Sequence, residues 1–267
     1  MDELAKMGMK LLFFDIDGTL WDWRNTIPES TREAIRITRE KGNLAFINSG
    51  RSRGFIQNKD LLGLGFDGIV SGCGTMIEYQ GETILDAKMP SEKAVRIVEG
   101  VRRCGWKPVL EGKDYLYMDY DEFADDWYGQ KLMRELGDRL KPISSEWGKW
   151  EMQKLSCNIK DAETSDCIEE FQDEFDFIMH DLAVCELVPR PYSKGSGIRF
   201  ICERLGVPVE DTYAFGDSVN DRAMFKTAGT SIVMGNGTDR AKAMADYVTD
   251  ALEEDGIWNA CKHFGLA

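Results

Sequence analysis

Histidine is nearly missing from this chain: among 267 residues only His180 and His263 occur, far apart in sequence. A histidine-based catalytic triad or an imidazole zinc centre has almost no material to draw on. Paired cysteines are missing too. The seven cysteines (Cys73, Cys104, Cys157, Cys167, Cys185, Cys202 and Cys261) are odd in number, scattered, and never spaced as C-x-x-C. That pattern argues against a disulfide framework and fits free thiols in a reducing, cytoplasmic compartment. No apolar run approaches the ~20 residues of a membrane helix, and segment 1–10 lacks the apolar stretch of a secretory leader. Positive charge is in deficit, with 33 Lys and Arg against 47 Asp and Glu and a formal net charge of −14. Nucleic acid, which wants basic stripes, is therefore not an expected partner; the acidity is that of a soluble protein. The length allows one large domain or two modest ones.

What is present begins with Asp15-Ile16-Asp17-Gly18-Thr19-Leu20, directly after the apolar run 10–14. Two carboxylates one residue apart leave a buried strand and enter a tight turn. Like charges so close oppose each other's ionisation and attract a hard cation. Around them the spacing predicts strands at 10–14, 43–48 and 66–71, with helices between. The first of these opens on the capping-box pattern Ser30-Thr31-Arg32-Glu33, and the second follows the polar turn Ser49-Gly50-Arg51 and runs through Leu62. Such alternation implies a parallel sheet whose ligands gather at the carboxyl ends of the strands. Gly63 to Gly68 fits G-x-G-x-x-G, but in the order helix then strand, so it reads as a helix stop and turn, not a dinucleotide loop.

The middle of the chain follows another rhythm. A hairpin at 76–85 is followed by a helix from Ser91, a strand at 115–120 and a helix at 122–136. A strand at 150–159, a helix at 162–171, and strands at 177–180 and 182–188 complete it. This is the signature of an α+β module. Trp106, Trp127, Trp147 and Trp150 fall within it and read as its core. After Pro189-Arg190-Pro191 the alternation returns, with helices at 196–205, 220–228 and 238–245 and strands at 211–215 and 231–234. The expected organisation is an α/β, Rossmann-like doubly wound parallel core at 1–84 and 188–267, interrupted by an α+β cap at 85–187.

Four polar segments then collect at one edge: Asp15 to Thr19, Ser49-Gly50-Arg51, Ser193-Lys194-Gly195, and Gly216-Asp217-Ser218-Val219-Asn220-Asp221. Singly, most of these would pass as turns, helix starts or an exposed lysine; their joint placement is what carries weight. In this order they resemble the four motifs of the haloacid dehalogenase superfamily of phosphohydrolases, and the insertion point resembles the Cof-type sugar-phosphatase branch. The resemblance implies a Mg²⁺-dependent phosphatase acting on a small-molecule phosphate ester such as a sugar phosphate. It assigns Asp15 as nucleophile and Asp17 as acid and base. The metal would be held by Asp15, the Asp17 carbonyl and Asp217.

Physical logic runs alongside. A phosphoryl group in transfer needs its oxygens neutralised and its entering and leaving oxygens in line, and a carboxylate can act as the nucleophile. The Ser49 hydroxyl with the Gly50 and Ile16 amides supplies donors, and Lys194 a positive charge. Asn220 is expected to contact phosphate, Thr19 to fix the Asp17 carboxyl group, and Asp221 to orient Lys194 or a metal-bound water. Arg51 is a candidate substrate contact, and Lys149, Trp150 and Lys154 are candidate readers of the leaving group. Trp21 and Trp23 are unusually bulky after the first motif and either pack the loop or narrow the entrance. Cys73-Gly74 stands where the family usually has Asn-Gly. A phosphomannomutase-like phosphomutase and a non-catalytic phosphometabolite sensor are the alternatives, and nothing in the sequence sets the oligomeric state.

Overall fold

The computed structural model describes residues 8–180 and 183–267. The expected start of a strand at Leu182, and residues 1–7 of the N-terminal segment, lie outside them. In chain order the first part is β1 (Leu11–Phe14), the helix Glu29–Glu40, β2 (Leu44–Asn48), the short helix Lys59–Leu62, β3 (Gly68–Ser71), β4 (Met76–Tyr79) and β5 (Glu82–Asp86). The middle part has the helix Ser91–Arg103, β6 (Lys107–Glu111), β7 (Leu116–Tyr117), the helix Trp127–Leu136 and β8 (Leu140–Lys141). After these come β9 (Lys154–Asn158), the helix Ser165–Phe171, β10 (Phe175–His180) and β11 (Val184–Pro189). The last part has the helix Lys194–Leu205, β12 (Thr212–Gly216), the helix Arg222–Phe225, β13 (Thr230–Val233), the helix Asp239–Lys242, β14 (Tyr247–Val248) and the helix Gly256–His263.

The chain divides into two compact units. One comprises the residues up to Gly50, Gln57–Ile84 and Tyr192–Ala267; the other comprises Arg51–Ile56 and Leu85–Pro191.

The first unit is built on an eight-stranded sheet in the order β14-β13-β12-β1-β2-β3-β4-β5. It is parallel from β14 to β3; β4 then runs antiparallel to β3, and β5 is the edge. The hairpin 76–85, where the sequence rhythm changes, forms the edge of the core sheet as β4 and β5, and the expected core boundary at residue 84 falls within β5. Leu11 to Phe14 are fully buried, which is why β1 reads as an unbroken apolar run: both its faces are covered. Register explains the aromatic pairs. Phe14 stands beside Phe215 and Phe13 beside Phe46, with ring centroids 4.6 and 5.1 Å apart.

The second unit carries a six-stranded sheet in the order β10-β11-β9-β6-β7-β8. Its apolar core gathers Ile97, Val101, Trp106, Leu155, Phe171 and Leu187. Trp106 and Trp150 are core, as expected, while Trp127 and Trp147 are exposed.

Several local expectations fail for identifiable reasons. The capping box at Ser30 is not made: the helix begins at Glu29 with Pro28 before it, and Glu33 turns forward to pair with Arg36. The helix expected between the turn at Arg51 and Leu62 is only a 3₁₀ turn, Arg53–Phe55, and a separate short helix. There Asn58 takes an extended backbone and its side chain accepts from the Asp60 and Leu61 amides. β6 went unread because Pro108 interrupts its apolar run, and proline argues against a central strand. The helix expected at 220–228 shortens to a 3₁₀ turn, Val219–Asp221, and the helix Arg222–Phe225.

Candidate active site

β1 sits at the reversal of strand order: β2 and β3 extend one way from it, β12 and β13 the other. In open α/β sheets that is where a crevice forms beyond the carboxyl ends of the strands. Asp15 follows β1, Ser49 follows β2 and Asp217 follows β12. The Asp15 amide donates to the Phe215 carbonyl at 2.9 Å and the Ser49 amide to Val70 at 2.9 Å. The sheet ladder therefore continues just far enough to fix both residues.

Lys194 arrives differently from the other three segments. It is the first residue of the helix Lys194–Leu205, capped by Ser193 in a reciprocal bond with Ser196. A cation at a helix N-terminus meets the positive end of the dipole, so its position needs counter-charge. It has two: Nζ donates to Asp15 Oδ1 and to Asp221 Oδ1, each at 2.6 Å, and all three side chains are buried. Burial opposes the ammonium charge, but the Asp15 and Asp221 carboxylates outweigh it and hold the Lys194 pKa well above its ordinary value. Asn48 Nδ2 adds a bond to the Lys194 carbonyl at 3.0 Å. A fully buried polar residue ending an apolar strand is the signal that could have flagged Asn48.

Carboxylate oxygens of Asp15, Asp217 and Asp221 lie within 4.8 Å of one another. Asp221 has both oxygens committed: Oδ1 to Lys194, and Oδ2 to the Asp217 and Ser218 amides at 3.0 and 3.2 Å. It bonds the lysine with one oxygen and ties the 217–218 turn with the other. Burial pushes Asp15 up to about 7, with Lys194 opposing and Asp221 and Asp17 adding to the rise. Burial likewise pushes Asp217 up to about 8, with Asp15 and Asp221 adding to it. Three carboxylates around one ammonium leave surplus negative charge on hard oxygen donors, which is the chemistry of a divalent-cation site. The three carboxylates form a group that could hold such an ion, and Asp221 is the member whose two oxygens already have partners.

The turn between Asp15 and Trp21 is wound on a single carbonyl. Ile16 O accepts from the amides of Thr19, Leu20 and Trp21 at 3.3, 3.0 and 3.3 Å. Gly18 has φ +77°, and a Cβ on it would stand 2.6 Å from Asp217 Oδ2, so glycine is required by both backbone and neighbour. Thr19 does not fix the Asp17 carboxyl group: its hydroxyl is buried without a hydrogen-bond partner. Trp21 does so instead, its indole Nε1 donating to Asp17 Oδ1 at 3.1 Å. Trp21 is 3 % exposed and packs the loop, whereas Trp23 is 82 % exposed.

The remaining candidates divide. Ser49 and Gly50 are buried, just past the end of β2. Asn220 Oδ1 is taken by the Ser218 hydroxyl at 2.6 Å, which ties that side chain into its own loop. Arg51 groups with the second unit and lies over the Phe55 ring at 4.4 Å. Trp150 is buried with its indole on the Ile143 carbonyl at 3.0 Å. Lys154 is buried between Glu111, at 3.2 Å, and Glu186. Both have partners within their own unit, whereas Lys149 is exposed. Cys73 has φ 56°, a left-handed conformation that asparagine adopts readily and cysteine does not. The Asn expected there thus has a backbone reason as well as a binding one. Asn236 escaped notice in the sequence, yet it bridges the loops: Nδ2 donates to the Gly18 carbonyl at 2.8 Å and Oδ1 accepts from the Leu252 amide at 2.8 Å.

The chain is similar to known proteins along nearly its whole length. The family model for haloacid dehalogenase-like hydrolases matches residues 12–261. Over 97% of its length and 99% of the relative's, the chain is 33% identical to YkrA of Bacillus subtilis (strain 168), whose name carries a phosphatase label and no substrate. It is 26% identical, over 97% of each chain, to the 5-amino-6-(5-phospho-D-ribitylamino)uracil phosphatase YcsE of the same organism. Among solved structures, the subclass IIB sugar phosphatase BT4131 superposes with a TM-score of 0.82 at 27% identity, covering 97% of this chain and 100% of that one.

Proposed function

Because the chain belongs to the haloacid dehalogenase-like hydrolases, we propose that it is a Mg²⁺-dependent phosphatase of a small phosphorylated metabolite, working through an aspartyl-phosphate on Asp15. The observation that carries this reading is the pair of 2.6 Å bonds from Lys194 Nζ to Asp15 and Asp221, with the Asp217 carboxylate alongside. A nucleophilic carboxylate must be ionised, and Lys194 supplies the charge that favours the ionised form. A sugar phosphate is the favoured substrate class, supported by the likeness to a sugar phosphatase; the YcsE substrate is a phosphorylated ribityl compound.

The metal would be held by the Asp15 and Asp217 carboxylates and the Asp17 carbonyl, and there it would supply positive charge to the phosphoryl oxygens. Asp15 attacks phosphorus as the ester oxygen departs, and the Asp17 carboxyl gives that oxygen its proton. In the second half Asp17, now ionised, takes a proton from the water that attacks the acyl phosphate. The Ile16 and Gly50 amides and the Ser49 hydroxyl are assigned to the phosphoryl oxygens, with Lys194.

The test is phosphate release from p-nitrophenyl phosphate and a panel of sugar phosphates with Mg²⁺. Asp15→Asn should lower it roughly 10⁴-fold or more while circular dichroism stays that of the wild type. Activity retained in that variant contradicts the nucleophile assignment.

A further inference from the structure

Asp17 is the one member of the carboxylate pair that is exposed. An exposed aspartate samples several side-chain rotamers, whereas proton transfer needs the donor held within hydrogen-bond reach of one oxygen. The structure supplies a holder four residues on. Trp21 is buried to 3 % exposure, and its indole, which can only donate, places Nε1 3.1 Å from Asp17 Oδ1. The backbone delivers it there: the Gly18 amide donates to the Trp21 carbonyl at 3.0 Å, the Trp21 amide to Ile16 at 3.3 Å, and Asp17 and Trp21 form a β-bridge. A rigid ring fixed by packing and by a closed turn therefore anchors the exposed carboxyl group. Thr19, the chemically obvious anchor, has its hydroxyl elsewhere, buried and without a partner.

We infer that Trp21 is a positioning residue, whose indole N–H fixes the direction in which the Asp17 carboxyl delivers its proton to the departing ester oxygen. This rests on the phosphatase reading above. The step balances simply: the bond from Asp15 oxygen to phosphorus forms, the bond from phosphorus to ester oxygen breaks, and the Asp17 proton moves to that oxygen. An ester whose leaving group departs readily as an anion needs little from Asp17, and one with a basic leaving group needs much. Misaiming Asp17 must therefore discriminate between esters, while a general loosening of the loop would not.

The experiment compares kcat/KM for p-nitrophenyl phosphate and phenyl phosphate, since kcat/KM reports the first, Asp17-assisted displacement and not the later hydrolysis. Trp21→Phe keeps the apolar ring and removes the donor. It should lower kcat/KM for phenyl phosphate about 10-fold, a part of the 10²–10⁴ that general acid catalysis supplies, and leave p-nitrophenyl phosphate within about 3-fold. An unchanged ratio between the two esters, whether both fall or neither does, overturns the inference. A second readout does not need turnover or a folded Trp21 variant: the Trp21 indole ¹⁵N–¹H resonance should move upfield in Asp17→Ala, as the bond to Oδ1 is lost. A resonance that stays in place overturns the inference as well. Failure of the phosphatase reading looks different, because the wild type would then release no phosphate from either ester while the indole resonance still responded to Asp17→Ala.

Discussion

The nucleophile role proposed for Asp15 requires it to be ionised, yet burial resists its ionisation, and Asp217 beside it shares the difficulty. Their pKa values, raised from the ordinary 3.8 to about 7 and about 8, have a consequence for stability. Between those limits the folded, metal-free protein keeps protons that the unfolded chain has released. The stability these groups contribute is therefore full below about pH 4 and is lost as pH rises through 7 to 8. A divalent cation reverses the balance, since it binds the ionised carboxylates and displaces protons. Thermal melts of chelator-treated protein should show Mg²⁺ raising Tm by several degrees near pH 8. Near pH 5 the rise should be much smaller; a saturating ion contributes ~2.7 kcal/mol at a hundredfold excess over Kd. Equal shifts at both pH values would contradict the ligand assignment. At this scale the sequence was informative where chemistry is costly to ignore, as with two carboxylates ending a buried strand. It was misleading where geometry decides: Thr19 is the chemically natural partner of Asp17, but the turn brings round the Trp21 indole.

The elements explain why so few residues can do so much. Asp15 and Asp217 are set by the ends of β1 and β12, which pair directly, Phe14 lying beside Phe215. The loops after those strands then touch. Gly18 leaves no room for a side chain against Asp217, and Asn236 ties the Gly18 carbonyl to the Leu252 amide. Gly18→Ala should cost ~1–3 kcal/mol through its left-handed backbone and weaken Mg²⁺ binding by displacing Asp217. Urea unfolding and calorimetric titration read the two effects separately; a destabilised variant with unaltered Mg²⁺ affinity would mean that the turn and the metal ligand are independent. Periodicity made β1, β2 and β3 legible because strands buried on both faces read as apolar runs. The stretch after Arg51 was not legible as it folds, because Asn58 starts a new helix where the pattern suggested a continuous one, and Pro108 concealed β6.

Across the whole molecule, the return of strand–helix alternation after Pro191 was enough to reveal a sheet interrupted by an insertion. What the pattern could not give was the direction in which the insertion's side chains point. Lys154 and Trp150, chosen from sequence as readers of the substrate, turn out to hold the second unit together, Lys154 between two glutamates and Trp150 through a backbone carbonyl. Burying a lone ammonium is costly, so a lysine with two buried carboxylate partners belongs to the fold before it belongs to a ligand. The described residues include no helix long and apolar enough to cross a membrane. The central claim concerns a covalent bond between this chain and its substrate's phosphorus, and that bond can be caught. Wild-type protein mixed briefly with p-nitrophenyl phosphate and Mg²⁺, quenched in acid and digested, should yield the peptide containing Asp15 with the added mass of one phosphoryl group on that residue. Rapid release of phosphate with no such adduct, or with the adduct on another side chain, would contradict the account.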